Sequence, residues 1–282
     1  MNRIIFFIVF VFIISLQTAD AQVRVMTFNL RLDLASDGEN AWPHRKDKAC
    51  SQIRYEGAQL IGVQEALHNQ VTDLMKCLDQ FSYIGGGRDD GKDKGEACAI
   101  LFDSTRFKLL AGATFWLSET PHLPGKKGWD AAYPRVVTWA KFYDKKEHLI
   151  FYHFNTHLDN MGQVARREGA KMLLHAVDSI AGKSKAIVTG DFNASPESEP
   201  IQILTTHKPF HLTNSKFVSI LPHYGPDGTF NDFGNHEVDD KPIDYIFFNH
   251  GVKVLRHATL SESWMGRFSS DHFPVLAELE LK

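Results

Sequence analysis

Polar side chains of related chemistry recur where apolar stretches of this sequence stop. Asn29 follows Val25-Met26-Thr27-Phe28, Glu65 follows Ile61-Gly62-Val63-Gln64, and His157 with Asp159 follows Phe151 to Thr156. Asp191 and Asn193 come after Ala186 to Gly190, Asp244 sits beside Ile243, and Asp271-His272 precedes Phe273-Pro274-Val275. Carboxylates and a carboxamide are the oxygen ligands that a hard divalent cation prefers. A histidine beside a carboxylate is how a general base or acid is oriented. The two sets together suit cleavage of a phosphoester. That reaction needs a cation to polarise the phosphoryl oxygens and steady the leaving oxygen, and a base to activate water.

Taken singly, each position has an ordinary reading. Asn29 suits a turn and Glu65 the start of a helix. Asp191 or Asn193 can cap the segment that begins at Ser195-Pro196-Glu197. A lone histidine on an apolar strand, such as His157, is more often a satisfied interior group than a catalyst. Their joint presence in this order carries the chemical reading.

These residues need strands to deliver them. Val23 to Leu30 is β-branched and aromatic and reads as a strand, as does Leu60 to Gln64. Further strands are expected over Ala97 to Phe102, Phe107 to Leu117, Lys185 to Thr189, Ile243 to Phe248, Val252 to Leu260 and Val275 to Leu279, with a hairpin over Val136 to Tyr143 and Leu149 to Asn155. Helices are expected over Pro43 to Gln59, Val71 to Leu78 and Gln163 to Ile180, the last from apolar residues at helical spacing. Gly85 to Gly95 is a polar, glycine-rich loop. Ser118 to Pro134, with three prolines and two glycines, is a second long loop of a length that is often functional. Leu204 to Asn235 is weakly patterned. Strands and helices alternate in both orders, which suggests sheets covered by helices.

The 282 residues carry a net charge of −3. This overall balance does not suggest the basic face that a long nucleic acid usually calls for, and it fits a small phosphorylated or metal-held substrate more easily. Arg3, the apolar run Ile4 to Ile14 and the small-x-small pattern ending at Ala21 read as a signal peptide over residues 1–21. The run is shorter than the ~20 residues that span a bilayer. The mature chain, residues 22–282, is expected to be one domain, exported to the periplasm or the extracellular space. Cys50, Cys77 and Cys98 fit no zinc spacing and are expected to act as small buried apolar groups rather than as a bridge.

Six ordered segments narrow the reading further. Thr27-Phe28-Asn29-Leu30, Gln64-Glu65, Asn155-Thr156-His157-Leu158-Asp159, Gly190-Asp191-Phe192-Asn193, Ile243-Asp244-Tyr245-Ile246 and Ser270-Asp271-His272-Phe273-Pro274-Val275 resemble the endonuclease/exonuclease/phosphatase superfamily. That group includes pancreatic deoxyribonuclease, the abasic-site endonucleases, bacterial sphingomyelinases, inositol-polyphosphate 5-phosphatases and deadenylase nucleases. The resemblance runs from Val25 to the C-terminus, and Ser118 to Trp129 resembles a segment of its bacterial members. It implies a four-layer α/β sandwich, two mixed β-sheets packed face to face with helices outside, and a site at one end of the sheets.

It also implies roles. Glu65 would be the principal metal carboxylate, with Asn29 and Asp271 near the metal or its waters. The metal would be Mg²⁺, with Mn²⁺ or Ca²⁺ as alternatives. His272 would take a proton from the attacking water or polarise the phosphate, held by Asp244. Asp191 would orient that water or a second metal, Asn193 would donate to a phosphate oxygen, and His157 would act as general acid or phosphate ligand. Arg135 is a weaker candidate, as a phosphate clamp or an edge-strand charge. Trp116, Trp129 and Tyr133 are candidates for an aromatic wall or for core packing. Lys92, Lys94, Lys126 and Lys127 read as solvated loop charges. The expected partner is a phosphoester substrate, nucleic acid among the candidates, with no stable protein partner and a monomeric chain. Nuclease, sphingomyelinase-like lipid hydrolase and sugar- or inositol-phosphatase stay open within this class. Outside it stand a binding module without catalysis and a metal-dependent hydrolase of amides or glycosides.

Overall fold

Alternation along the first strand sets the architecture. In β1 (Gln22–Asn29) Val23 and Val25 face a core shared with a second sheet, whereas Met26 and Phe28 face helices. The computed structural model describes residues 22–234 and 240–281; the expected signal peptide, residues 1–21, lies outside them. After β1 come α1 (Trp42–Glu56), β2 (Leu60–Gln64), α2 (His68–Cys77), β3 (Phe81–Ile84), β4 (Ile100–Asp103), β5 (Phe107–Trp116), β6 (Val136–Asp144) and β7 (Leu149–His157). Then follow α3 (Gln163–Ala181), β8 (Lys185–Asp191), α4 (Glu199–Thr206), β9 (Thr213–Asn214), β10 (Asp244–Phe248), β11 (Lys253–Thr259) and β12 (Val275–Glu280). Among the described residues no helix is long and apolar enough to cross a membrane.

The strands form two six-stranded sheets, ordered β11-β12-β1-β2-β4-β3 and β5-β6-β7-β8-β10-β9. Both are mixed, because β1 runs parallel to β2 and β7 parallel to β8 while the other pairs are antiparallel. The central layer between them holds Leu60, Phe102, Phe142, Phe151, Ile187 and Ile246. Helices α1 and α2 cover the outer face of the first sheet, and α3 and α4 that of the second. This is the four-layer α/β sandwich that the resemblance implied.

Most expected elements appear within a residue or two of their positions. The strand expected over Ala97 to Phe102 begins only at Ile100, and β3 and α4 are additional. Cys50 on α1 and Cys77 on α2 form a disulfide, while Cys98 is free and buried. The expectation of unpaired apolar cysteines therefore holds for Cys98 alone. The bridge joins two cysteines 27 residues apart and so tethers α1 to α2, a closure worth about 3.5 kcal/mol by loop entropy.

One buried histidine makes the fold sensitive to acid. His153 on β7 is wholly buried, its Nε2 lies 2.8 Å from Thr189 Oγ1, and its Nδ1 has no hydrogen-bond partner. Burial pushes its pKa down to about 3. The folded state therefore binds fewer protons than the unfolded chain, whose histidines titrate near ~6.5. The resulting stability is complete above that value and is lost as pH falls from about 6.5 toward about 3, at up to about 1.4 kcal/mol per pH unit. Urea unfolding from about pH 7 to about pH 5 is expected to show a smaller loss of stability for His153→Gln than for the native chain. Parallel losses would contradict this account.

Candidate active site

The strands end at one edge of the sandwich, and their inward-facing positions become polar there. On β1 the inner series Val23, Val25, Thr27 ends at Asn29; on β8 Ile187 and Thr189 lead to Asp191. Antiparallel pairing places Asp244, the first residue of β10, directly opposite Asp191. Three positions just beyond strands, Arg31, Glu65 and Asn193, have φ of 53°, 55° and 47°. Left-handed backbone is costly for side chains with a Cβ and tends to persist at functional sites. Here it turns Glu65 and Asn193 into the cleft rather than along their strands.

His272 and Asp244 form the centre. His272 Nδ1 lies 2.9 Å from Asp244 Oδ2, and the same oxygen accepts a hydrogen bond from Thr229 Oγ1 at 2.6 Å. Thr229 Oγ1 also accepts from the Ile243 and Asp244 amides. The Phe230 ring and the imidazole pack edge to face, with centroids 5.1 Å apart. Burial alone would lower the His272 pKa, but Asp244 and Asp191 outweigh it, and the pKa is raised well above the ordinary histidine value. Its Nε2 faces Asp191 Oδ2 at 3.8 Å and Asn29 Nδ2 at 3.5 Å.

The remaining predicted residues converge around this pair. Asn29 Nδ2 donates to Asp191 Oδ2 at 2.9 Å and to Glu65 Oε1 at 3.2 Å, while its Oδ1 accepts from the Arg31 amide. Its amide nitrogen, not its oxygen, thus faces the carboxylates. Glu65 Oε2 accepts from the Leu32 amide. Asp271 Oδ1 accepts from Ser270 Oγ, and its Oδ2 lies 3.7 Å from Arg31 Nη1. His157 Nε2 lies 3.4 Å from Asp191 Oδ2 and 2.9 Å from Asn193 Nδ2. Burial, with Arg135 and His272 nearby, holds the His157 pKa well below the ordinary value, so His157 is a neutral acceptor. Burial and Asp244 raise the Asp191 pKa, and burial raises that of Asp271.

These carboxylates are short of positive charge. Asp191, Asp244 and His272 each bring one ligand atom within 4.8 Å of the others, a buried group that can hold a metal ion. His272 Nδ1 and Asp244 Oδ2 are bonded to each other, which leaves His272 Nε2 and Asp244 Oδ1, a buried oxygen without a hydrogen-bond partner, and Glu65 and Asp271 add hard oxygen donors nearby. The donor set fits a divalent cation of the Mg²⁺ type.

Arg135, Asp159 and the aromatic residues have structural employment. Asp159 accepts from the Ala132, Tyr133, Met161 and Gly162 amides and from Arg135 Nε at 3.1 Å, which ties the long loop to the end of β7. Arg135 is buried and also donates to Asn160 Oδ1, so it is no surface edge-strand charge, and two of its donors are engaged. Trp116 is buried and pins the glycine-rich loop through the Arg88 carbonyl. Tyr133 is half exposed with the Arg88 and Arg135 guanidinium groups over its ring at 4.8 and 5.5 Å. Lys92, Lys94, Lys126 and Lys127 are exposed. A small recess beside the carboxylates is lined by Glu65, Arg88, Glu96, Arg135 and His157. A larger cavity of about 540 Å³ lies at the C-terminal ends of α1 and α2, away from this chemistry. Sequence reasoning missed Thr229 and Ser270. Thr229 falls in the weakly patterned stretch with no motif around it, and Ser270 was quoted only as a neighbour of Asp271.

Comparison with known proteins agrees with this geometry. The Endonuclease/Exonuclease/phosphatase family profile matches residues 26–272. The crystal structure of an endonuclease/exonuclease/phosphatase from Bacteroides vulgatus superposes with a TM-score of 0.88 at 38% identity, covering 93% of this chain and 99% of that one. A mannosyl-6-phosphatase from Bacteroides thetaiotaomicron gives 0.86 at 34% identity, covering 91% and 99%. The human Nocturnin catalytic domain, at 22% identity and a TM-score of 0.71 over 92% and 93% of the two chains, shares the fold. A mouse endonuclease/exonuclease/phosphatase family domain-containing protein 1 is 27% identical over 126 residues, 41% of this chain and only 21% of that protein's length.

Cation binding can be read without turnover. Mg²⁺ or Mn²⁺ is expected to raise the Tm, by an amount equivalent to about 2.7 kcal/mol at a hundredfold excess over Kd. Glu65→Ala is expected to abolish most of that shift. A native protein whose Tm ignores both ions would contradict the metal reading.

Proposed function

The chain belongs to the Endonuclease/Exonuclease/phosphatase family, and from that premise we propose that it is a Mg²⁺-dependent phosphoester hydrolase. The observation that carries the proposal is the buried Asp244–His272 pair facing Asp191 and Asn29. Glu65 and Asp271 are the residues that would hold the cation, and Asn29, whose amide nitrogen donates to Glu65 and Asp191, would position the carboxylates around it. The chemistry such a cation supplies is polarisation of a phosphoryl oxygen and stabilisation of the leaving oxygen.

The protein's own groups do the rest. In its deprotonated form His272 Nε2 takes a proton from the attacking water, and Asp244, which raises the proton affinity of the ring, holds it through Nδ1 and stabilises the imidazolium that forms. Asp191, bonded by Asn29 and by the Asn193 amide, orients that water. The Asn193 side-chain amide, now on His157, is the donor for a phosphate oxygen. Burial of these groups strengthens each interaction.

A small phosphorylated sugar is the substrate class we favour. The 34% identical relative is a mannosyl-6-phosphatase. The recess, with its Arg88–Glu96 pair and Arg135, offers donors and acceptors suited to hydroxyl-rich groups. One observation favours a second reading, a lipid phosphoester. Trp264 and Arg267 pair their backbones in a tight hairpin whose tip carries the fully exposed Met265. We also read the chain as exported, and the Cys50–Cys77 disulfide supports an oxidising compartment.

The test is hydrolysis of p-nitrophenyl phosphate, bis-p-nitrophenyl phosphate and a panel of sugar phosphates with Mg²⁺, Mn²⁺ or EDTA. Metal-dependent turnover is expected, with the monoesters preferred. Asp244→Asn is expected to lower kcat by roughly 10²- to 10⁴-fold, and His272→Ala by at least as much. Full activity in either variant would refute the assigned roles.

A further inference from the structure

Two groups of polar residues interrupt the apolar layer between the sheets: the buried Arg106–Asp144 pair at the end remote from the cleft, where Arg106 also donates to the Gln22 carbonyl, and a band just short of the cleft. Thr27, Gln64, His153, Asn155 and Thr189 are all wholly buried there. Each of four stands one or two residues before a cleft residue on its strand: Thr27 before Asn29, Gln64 before Glu65, Asn155 before His157 and Thr189 before Asp191. Asn155 lies at the middle of the band and crosses from the second sheet to the first. Its Nδ2 donates to the Val63 carbonyl at 2.8 Å and to the Ala99 carbonyl at 2.9 Å. Its Oδ1 accepts from Gln64 Nε2 at 2.7 Å and from Thr189 Oγ1 at 3.0 Å. Two donors and two acceptor sites are the full capacity of a carboxamide, so none is left over. Gly62 makes room: a Cβ there would lie 2.0 Å from Thr189 Oγ1 and 2.5 Å from Asn155 Oδ1.

Burying so many polar groups gains little stability over an apolar filling. What it adds is direction, because hydrophobic contact does not fix how far one sheet slides over another and hydrogen bonds do. The cleft depends on that slide. Asn29, Glu65 and His272 come from the first sheet's side, and Asp191 and Asp244 from the second. The His272–Asp244 and Asn29–Asp191 bonds, both 2.9 Å, therefore cross between sheets.

We propose that Asn155 is a positioning residue: by joining Gln64 and the Val63 and Ala99 carbonyls to Thr189, it sets the sheet-to-sheet register at which Asp244 meets His272. The proposal rests on the hydrolase reading for its kinetic consequence only.

Three variants test it. Asn155→Ala removes the crossing, Thr189→Val removes one of its bonds with little change of shape, and Ile53→Ala destabilises the helix-covered core remote from the band. Two readouts are taken well below every Tm. One is p-nitrophenyl phosphate turnover with Mg²⁺. The other is the downfield proton resonance of His272 Nδ1–H, assigned by its loss in His272→Ala. Asn155→Ala is expected to lower kcat by about tenfold to a hundredfold with KM nearly constant, and to broaden or shift the resonance. Thr189→Val is expected to do the same to a smaller extent and serves if Asn155→Ala does not fold. Ile53→Ala is expected to keep both. Native kcat and an unmoved resonance in the folded seam variants would overturn the proposal, as would an equal loss in Ile53→Ala. If the native protein does not hydrolyse the ester, the hydrolase reading fails, and the resonance alone then decides the positioning claim in the same terms.

Discussion

The bond between His272 Nδ1 and Asp244 Oδ2 is the constraint on which the cleft is organised. Its partners come from opposite sheets, and both are buried. A buried charged pair is favourable only when its geometry is good and its other polar atoms are satisfied. Thr229 supplies part of that satisfaction from a third segment, donating to the same Asp244 oxygen. Around the pair stand Asp191, Asp271 and Glu65, so the cleft holds more negative than positive groups. The surrounding carboxylates raise the proton affinity of His272 against the effect of burial, burial and then Asp244 raise that of Asp191, and the excess of negative groups is the electrostatic reason the cleft suits a divalent cation.

Sequence delivers these groups through strand alternation. The inward positions of β1, β2, β7 and β8 begin apolar, pass through the hydrogen-bonded band around Asn155, and end in the cleft. The same rule sends Met26, Phe28, Tyr152 and Phe154 outward under the helices. Beyond the strands, the left-handed backbone at Glu65 redirects a side chain that alternation alone would turn away from the centre, while Asn193 keeps the inward parity of Asp191 on left-handed backbone of its own. Structure and chemistry meet at Gly62, where a missing side chain lets the two sheets approach closely enough for one carboxamide to span them.

What could be read from the sequence follows from how local each signal is. Asn29, Glu65, His157, Asp191, Asn193, Asp244, Asp271 and His272 stood out because each adjoins a short apolar strand, and the structure gathers all of them. The roles of Thr229 and the Asn155 band were not legible, since Thr229 meets Asp244 across 15 residues of weakly patterned chain and Asn155 meets Gln64 across 91. Arg135 read equally well as a clamp or a surface charge, and only the distant Asp159 and Asn160 show that it is buried and held. The Cys50–Cys77 bridge was likewise hidden, because nothing in the spacing of three cysteines shows that α1 and α2 pack side by side. Short elements such as β3 carry too few residues to establish a period.

The central claim is that water, activated by His272, attacks phosphorus. The most direct measurement is hydrolysis of p-nitrophenyl phosphate in ¹⁸O-water with Mg²⁺, followed by mass analysis of both products. The account predicts one ¹⁸O in the released phosphate and none in the p-nitrophenol. Label in the p-nitrophenol, or turnover that persists unchanged in excess EDTA, would contradict it.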